Sequence, residues 1–399
     1  MRLTLEGGGA LVYSGAMRSI LPALASLFLA ACATPGPAPV EASSLLLDSA
    51  FQAKPVPASP KLLDASDAMK RYLAEDIAGD LKTLGKMRGL VAALESKAKL
   101  KLEYSGAVTR TAAEAFDARA GNCLSLTVMT AALARELGLS VSFHRVVGEP
   151  LWTRSGDLLF ASGHVNIALG GALGTDRSTF GGVKGILVDF TPGADLKHQR
   201  SQQIAERTVT AMYMNNRAAE TLRGGEVDEA YWWARGALMA DPRFLEAINT
   251  LGVIYSQRGN LVQAERVFRH VLAAEAENVS AMANLVRVLE RTGKQAESVA
   301  LAERLRRVEP HPPFHFFDLG VAALARGDFA GARDLFQQEL RRNSYYHEAH
   351  FGLAMAYYGL GEVRATREHL AAAREASTNT EEQNRYAAKL AWLRSQRWQ

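Results

Sequence analysis

The sequence predicts an α+β domain followed by an all-α repeat solenoid, and three observations carry that prediction. Glycines recur every 34 residues through the carboxy-terminal half, at Gly225, Gly259, Gly293, Gly327 and Gly361. In the middle of the chain Cys123 opens a strongly apolar helical run, and segments that alternate like strands follow it. Near the amino terminus a short apolar stretch ends at Cys32, the only other cysteine.

A chain of 399 residues has room for two to three domains at roughly 150 residues each. With 48% apolar and 22% charged residues it has the balance of an ordinary folded protein, which excludes a disordered or fibrous chain. The net charge of +4 is spread along the chain. No basic run interleaves with aromatics, and neither a zinc finger nor a nucleotide fingerprint is present, so nucleic acid is not an expected partner. Cys32 and Cys123 lie in contexts too different for a disulfide, and each needs its own account.

Residues 20–30 (ILPALASLFLA) are apolar. They are too few to cross a bilayer of about 30 Å and suit the core of an export signal, with Arg18 as its basic flank. Leu29-Ala30-Ala31-Cys32 resembles the bacterial lipobox. That resemblance implies cleavage before Cys32, acylation of its thiol and a membrane anchor made of lipid. Ala33 follows where an Asp would signal retention, so the expected place is the outer membrane of a bacterial envelope, facing the periplasm. Glu6 and Gly7 to Gly9 suit a signal poorly, whereas Met17-Arg18 would start a conventional one, and Met17 is the expected start. Residues 1–31 are therefore read as signal and residues 32–60, rich in Pro, Ala and Ser, as a flexible tether.

The glycine period is accompanied by others. A small column runs Ala230, Ala264, Ser298, Ala332, Thr366; a larger one Ala234, Phe268, Ala302, Phe336, Leu370; and a third Pro242, Ala276, Pro310, Ser344, Thr378. Each unit holds two amphipathic helices, with glycine in the turn and proline closing the unit. The period and these residue types resemble the tetratricopeptide repeat. Five repeats are expected over residues 211–378, within a region spanning 206–399, and residues 381–398 look like the helix that covers the last apolar face. The resemblance implies a protein or peptide partner. The aromatic and histidine clusters at 310–317 and 345–350 are read as packing between helices rather than as binding residues.

Residues 61–205 form the middle domain. Residues 61–100 read as two helices, with Leu63, Met69, Leu73 and Ile77 striping the first and Leu81, Leu84, Met87, Leu90 and Leu94 the second. Residues 100–104 are extended or loop, and Thr111 with Glu114 opens a short helix as a capping box. Cys123 then opens a helix closed by Gly138, followed by strands over 140–147, 162–169 and 185–190. Residues 148–156, with Trp152, read as a loop, and the glycine-rich stretches 170–174 and 181–185 as hairpin connections.

A thiol at the first turn of a helix faces unpaired N–H groups, which favour the thiolate, the nucleophilic form. His164, on the second strand, is placed to serve as general base and acid; Asp189, at the end of the third, to orient the imidazole. His144 is a rival base, and Asp176 and Asp195 are rival carboxylates. Cys123 as an inert core thiol remains an alternative. Arg119-Ala-Gly-Asn-Cys123, Gly163-His164-Val-Asn and Val188-Asp189-Phe-Thr-Pro192 together resemble the transglutaminase-like superfamily, a papain-like α+β fold. The resemblance implies acyl transfer from an amide through a thioester on Cys123, to water or to an amine. Val165 and Asn166 follow the histidine where the family often has an aromatic. Asn166, Asn122 and Trp152 are weak substrate-binding candidates, with Asn122 the better fit to a helix cap. The oxyanion is expected on the Cys123 N–H and one further donor. No metal or other cofactor is expected: the domain has one cysteine and no paired histidines at helical spacing.

Two functions follow. One is a lipid-anchored thiol hydrolase or acyltransferase for peptide or protein amides, its Cys123-His164-Asp189 set served by repeats that recruit the substrate or a partner. The other is a non-catalytic lipoprotein scaffold that binds protein partners through the repeats.

Overall fold

The computed structural model describes residues 42–57, 60–96, 99–104, 108–147, 151–155, 158–170, 185–190, 200–344, 346–377 and 380–395. Two short 3-10 turns, Ala42–Leu45 and Asp48–Ala50, come first. Helix α1 (Asp67–Arg71), capped by the Ser66 hydroxyl, runs through a π-helical turn, Tyr72–Asp76, towards α2 (Ala78–Leu84) and α3 (Lys86–Glu95). The sequence reading gives this stretch two helices. Gly85, at φ 80°, divides the second, and Leu84 is left 48% exposed, off the stripe assigned to it. A glycine breaks the helix here because only it takes that conformation without strain.

Thr111 and Glu114 form the expected capping box on α4 (Ala112–Ala118). The chain leaves α4 through Arg119 in a left-handed conformation, which turns β2 (Ala120–Gly121) alongside β1 (Glu103–Tyr104) in a parallel pair. Asn122 then caps α5 (Cys123–Glu136), and Gly138, at φ 71°, stops it. Every residue of α5 from Leu124 to Ala134 is buried, as its apolar and small composition requires.

Helix α5 packs on a four-stranded antiparallel sheet. It is made of β3 (Val141–Val147), β6 (Val165–Leu169), β7 (Ile186–Val188) and β8 (Arg200–Ile204), in the order β7-β6-β3-β8. A separate hairpin joins β4 (Leu151–Ser155) to β5 (Leu158–Ser162). The structure corrects the sequence reading in three places. The stretch read as a loop around Trp152 is largely β4. The single strand expected over 162–169 is interrupted: Ser162 ends β5 and Val165 begins β6, so Gly163 and His164 lie in the connection. The polar β8 was not anticipated; cross-strand pairing with β3 forms it, not an apolar pattern. The connections expected between 170 and 185 fall largely outside the described residues.

The repeats are α6 (Glu206–Arg223) with α7 (Val227–Ala240), α8 (Leu245–Arg258) with α9 (Leu261–Ala274), α10 (Val279–Arg291) with α11 (Gln295–Val308), α12 (His315–Ala325) with α13 (Phe329–Arg342), and α14 (His347–Gly359) with α15 (Val363–Ala376). Helix α16 (Thr380–Ser395) closes the array, covering α15 as expected. All five glycines of the 34-residue column have φ between 74° and 90°. That left-handed turn is what the column encodes. The small column is uniformly buried, from Ala230 to Thr366. A methyl on Gly252 would meet the Phe268 ring at 2.5 Å, which shows how closely the paired helices approach. Phe314 and Phe317 pack on Tyr346, so the aromatic clusters serve helix packing.

One apolar cluster runs from Leu45 to Leu289, through α5, the sheet and the first repeats, without a break at residue 205. Two smaller clusters, around Phe336 and around Leu390, serve the last repeats. The tether reading also needs correction for its described part: Leu45 and Phe51 lie in the large cluster, packed on the repeats. No helix among the described residues is long and apolar enough to cross a membrane.

Candidate active site

Three chain segments bring the site together. The first is the start of α5. The Asn122 side chain accepts from Ser125 N at 2.9 Å and from Ser125 Oγ at 2.8 Å, and its Nδ2 donates to Thr109 Oγ1 at 2.8 Å. Asn122 is thus committed to holding the helix start. Gly121 is required just before it, because a Cβ there would stand 2.6 Å from the Ser125 Cβ. The result fixes Cys123, partly exposed, at the first position of the helix.

The second segment is the β5–β6 connection with His164; the third is the end of β7 with Asp189. His164 Nε2 lies 2.7 Å from Asp189 Oδ2, with the histidine side chain 11% and the carboxylate 1% exposed. The imidazole is also hydrogen-bonded to the Cys123 side chain. Burial by itself disfavours the imidazolium. The hydrogen bonds to Asp189 and Cys123, with their negative charge, outweigh it and raise the His164 pKa to about 9. The three residues singled out in the sequence therefore meet in space.

Tyr104 is the residue the sequence reading missed. Its register partner in the parallel β1–β2 pair is Gly121, two residues before the cysteine. Its hydroxyl takes a hydrogen bond from the Cys123 backbone N–H and also bonds the Cys123 side chain. Burial pushes the Tyr104 hydroxyl up, and the charges of Cys123 and Asp189 add to that, so it stays protonated and able to donate. The only sequence signal was an aromatic in an extended stretch ahead of the cysteine, which many core residues share.

Other candidates sit elsewhere. His144 pairs with Ser142, its Nε2 3.0 Å from the hydroxyl, and burial lowers its pKa. Asn166 is directly opposite His144 in the β3–β6 register and fully buried; neither of its amide atoms has a partner among the described residues. The Trp152 side chain, Asp176, Asp195 and Cys32 lie outside the described residues. Among the described residues, no group of three or more His, Cys, Asp or Glu could hold a metal ion.

The site is tied to the first repeat. Glu220 on α6 accepts from Thr109 N at 2.8 Å and Thr109 Oγ1 at 2.7 Å, and Thr109 in turn receives the Asn122 amide. Burial raises the Glu220 pKa, partly countered by these Thr109 bonds. Arg145 on β3 pairs with Glu246 on α8, a second tie between sheet and repeats.

Comparison with known proteins bears on the carboxy-terminal region. The tetratricopeptide-repeat family matches at residues 244–274 and again at 313–338. These stretches, α8 with α9 and α12 with most of α13, match tetratricopeptide repeats, which supports a repeat solenoid there. Solved structures similar to the array include a thermophilic repeat protein of Thermus thermophilus, 19% identical, covering 45% of this chain and 99% of that one at a TM-score of 0.28. PilF of Pseudomonas aeruginosa is 19% identical over 47% of this chain and 86% of its own, with a TM-score of 0.28. YrrB, described as a repeat protein with an unusual peptide-binding site, is 19% identical over 45% and 92%, with a TM-score of 0.24. Tetratricopeptide repeats of this kind suggest a scaffold for protein–protein interaction.

Proposed function

We propose that the chain is a protein-binding scaffold whose repeats hold a peptide or protein partner. The observation that carries this reading is an apolar row on the last repeats. Val321 on α12 and Met355 on α14 occupy the same repeat position, 34 residues apart, and stay 47% and 37% exposed; Tyr358, one turn after Met355, is 38% exposed. Apolar side chains that recur on equivalent helices and remain in water form a surface suited to a partner. The test uses the full chain purified from its source cells. Val321→Asp with Met355→Asp should lose the co-purifying partners, whereas Cys123→Ser should keep them. Retention of every partner by the double variant would sink the reading.

A second reading is favoured by the assembly around Cys123: a transglutaminase-like acyl-transfer site. The Cys123 sulfur would attack an amide carbonyl, with its proton passing to His164. Collapse of the tetrahedral adduct would break the C–N bond as His164 returns that proton to the leaving amine. Water or a second amine would then release the acyl group from the thioester. The Tyr104 hydroxyl, which stays protonated, would supply an oxyanion donor. The check is alkylation of Cys123 against pH in a Cys32→Ser chain. A rate that persists below the ordinary thiol range and collapses in His164→Ala supports an activated pair; a rate indifferent to His164 removes it.

The anchor belongs to this proposal as well. The lipobox-like Leu29 to Cys32 supports a lipid on Cys32 and a place on the periplasmic face of a bacterial outer membrane. Cys32→Ser should then move the protein from the membrane to the soluble fraction; unchanged fractionation refutes it.

A further inference from the structure

Residues 45–52, Leu-Leu-Leu-Asp-Ser-Ala-Phe-Gln, lie on the first repeats as a peptide ligand lies on a receptor. Their main chain is held by side chains of α7 and α8. Tyr231 Oη accepts from Leu47 N at 3.0 Å, and Tyr255 Oη donates to the Leu45 carbonyl at 2.8 Å. Trp232 Nε1 donates to the Gln52 carbonyl at 2.7 Å, and Asp228 Oδ1 accepts from Gln52 N at 3.0 Å. Three side chains, each three residues from the last, are held as well. Leu45 is buried in the large apolar cluster. Asp48 accepts the Tyr231 hydroxyl at 2.6 Å and the Arg235 Nε at 3.0 Å. The Phe51 ring stacks on Tyr231 with centroids 4.0 Å apart and planes within 3°, beneath the Arg258 guanidinium at 5.5 Å.

Helix-to-helix packing needs apolar complementarity and nothing more. This face instead aims two tyrosine hydroxyls, an indole N–H and a carboxylate at the N–H and C=O groups of a chain that turns through a short 3-10 helix at Asp48–Ala50, which is how a protein reads a peptide backbone. The tyrosines are fully buried, so their hydroxyls need those partners. Burial raises both hydroxyls, Tyr255 to about 12, so each remains a donor. The occupant presents an apolar side to the repeats and a polar side to water: Leu45 and Phe51 are buried, Leu46, Leu47 and Ala50 are partly buried, and Asp48, Ser49 and Gln52 are exposed. Its connection to the body, from Ala53 to Pro55, is exposed too.

We propose that this face of α7 and α8 is a peptide-binding site and that residues 45–52 are its resident occupant in cis. A protein partner carrying the same spacing displaces them: a leucine, an aspartate three residues on, and an aromatic three further. The proposal rests on the scaffold reading and names the chemistry of one partner. It concerns the first two repeats, so the Val321 and Met355 test on the last repeats stands or falls separately. A tethered occupant competes at an effective concentration in the millimolar range, which hides the site from a free peptide until the tether is cut.

The experiment inserts a protease site after Lys54 in the full chain and cleaves it. The probe is a labelled synthetic peptide of residues 43–53. The cut protein should bind it at least tenfold more tightly than the uncut protein, with release of the native segment. A peptide carrying Asp48→Ala and Phe51→Ala should bind at least tenfold more weakly than the natural one. The side chains of the face are identical in the cut and uncut protein. The proposal is overturned if the cleaved segment stays on the body through dilution and excess peptide never enters. It is equally overturned if uncut and cut protein bind the peptide alike, or if the altered peptide binds as well as the natural one.

Discussion

The first and last repeats are built from the same unit and sit in different mechanical surroundings. The first share one continuous apolar cluster with α5, the sheet and the docked segment. The last have small clusters of their own, around Phe336 and Leu390. In a repeat array each unit contacts its neighbours only, and stability is close to a sum of local terms. Here that rule should hold for the last repeats and fail for the first, because a break in α9 is also a break against the body that holds Cys123. The same sequence period therefore does not confer the same independence.

The largest effects test this directly. Phe268→Ala on α9, or Leu133→Ala on α5, removes a fully buried side chain from the large cluster. A cost of about 3–5 kcal/mol is expected for the phenylalanine and about 2–5 kcal/mol for the leucine. Amide exchange should rise in α5 and in α8 together for either variant. Phe336→Ala on α13 deletes an equally buried ring, again at about 3–5 kcal/mol. Its faster exchange should stay within α12 to α15. Faster exchange in α5 of that variant would break the comparison.

The next effect is smaller and separates the regions by pH. His164 has its folded pKa raised to about 9, while an unfolded histidine titrates near 6.5. Its stabilising contribution is therefore complete below about pH 6.5 and is lost as pH rises towards 9. The amount is on the order of 1–3 kcal/mol. Burial lowers the pKa of His350 and His369 in the last repeats, so their contribution is present above about 6.5 and fades as pH falls below it. Alkaline weakening should appear in the amide exchange of α5 and not of α14. Asp189→Asn should flatten it; an equally steep alkaline fall in that variant would mean that His164 is not the group responsible.

How much of this was legible in the sequence follows from how local each signal is. The glycine, small-residue and Phe268/Phe336 columns repeat at a fixed spacing, so every position is confirmed by its neighbours in the series. Cys123 was legible through its own cap, Asn122, and the helix behind it. His164 was legible as a residue on an alternating stretch and Asp189 as one closing a strand, although the break at Gly163 that places His164 outside β6 was not. Tyr104 reaches the cysteine only because β1 pairs with β2, and that pairing leaves no periodic trace in two-residue strands. The docked segment was the least legible. Its Pro-, Ala- and Ser-rich surroundings resemble a linker, and its partners Tyr231 and Tyr255 lie more than 180 residues away.

The smallest expected effect tests whether helix starts in the site region matter beyond their own turn. The Thr111 hydroxyl accepts from Glu114 N at 3.4 Å, and the Glu114 carboxylate accepts from Thr111 N at 2.8 Å. Thr111→Ala should cost about 1 kcal/mol, the ordinary worth of a capping side chain. That loss falls on α4, whose last turn feeds β2 and hence the strand pair that sets Tyr104 against Cys123. A melting shift with unchanged Cys123 alkylation would mean that the β1–β2 pairing and the Asn122 cap hold the cysteine without help from α4. A slower or faster alkylation at the same modest shift would mean that α4 is part of the frame of the site, as the continuity of the large cluster through Ala112 and Ala115 predicts.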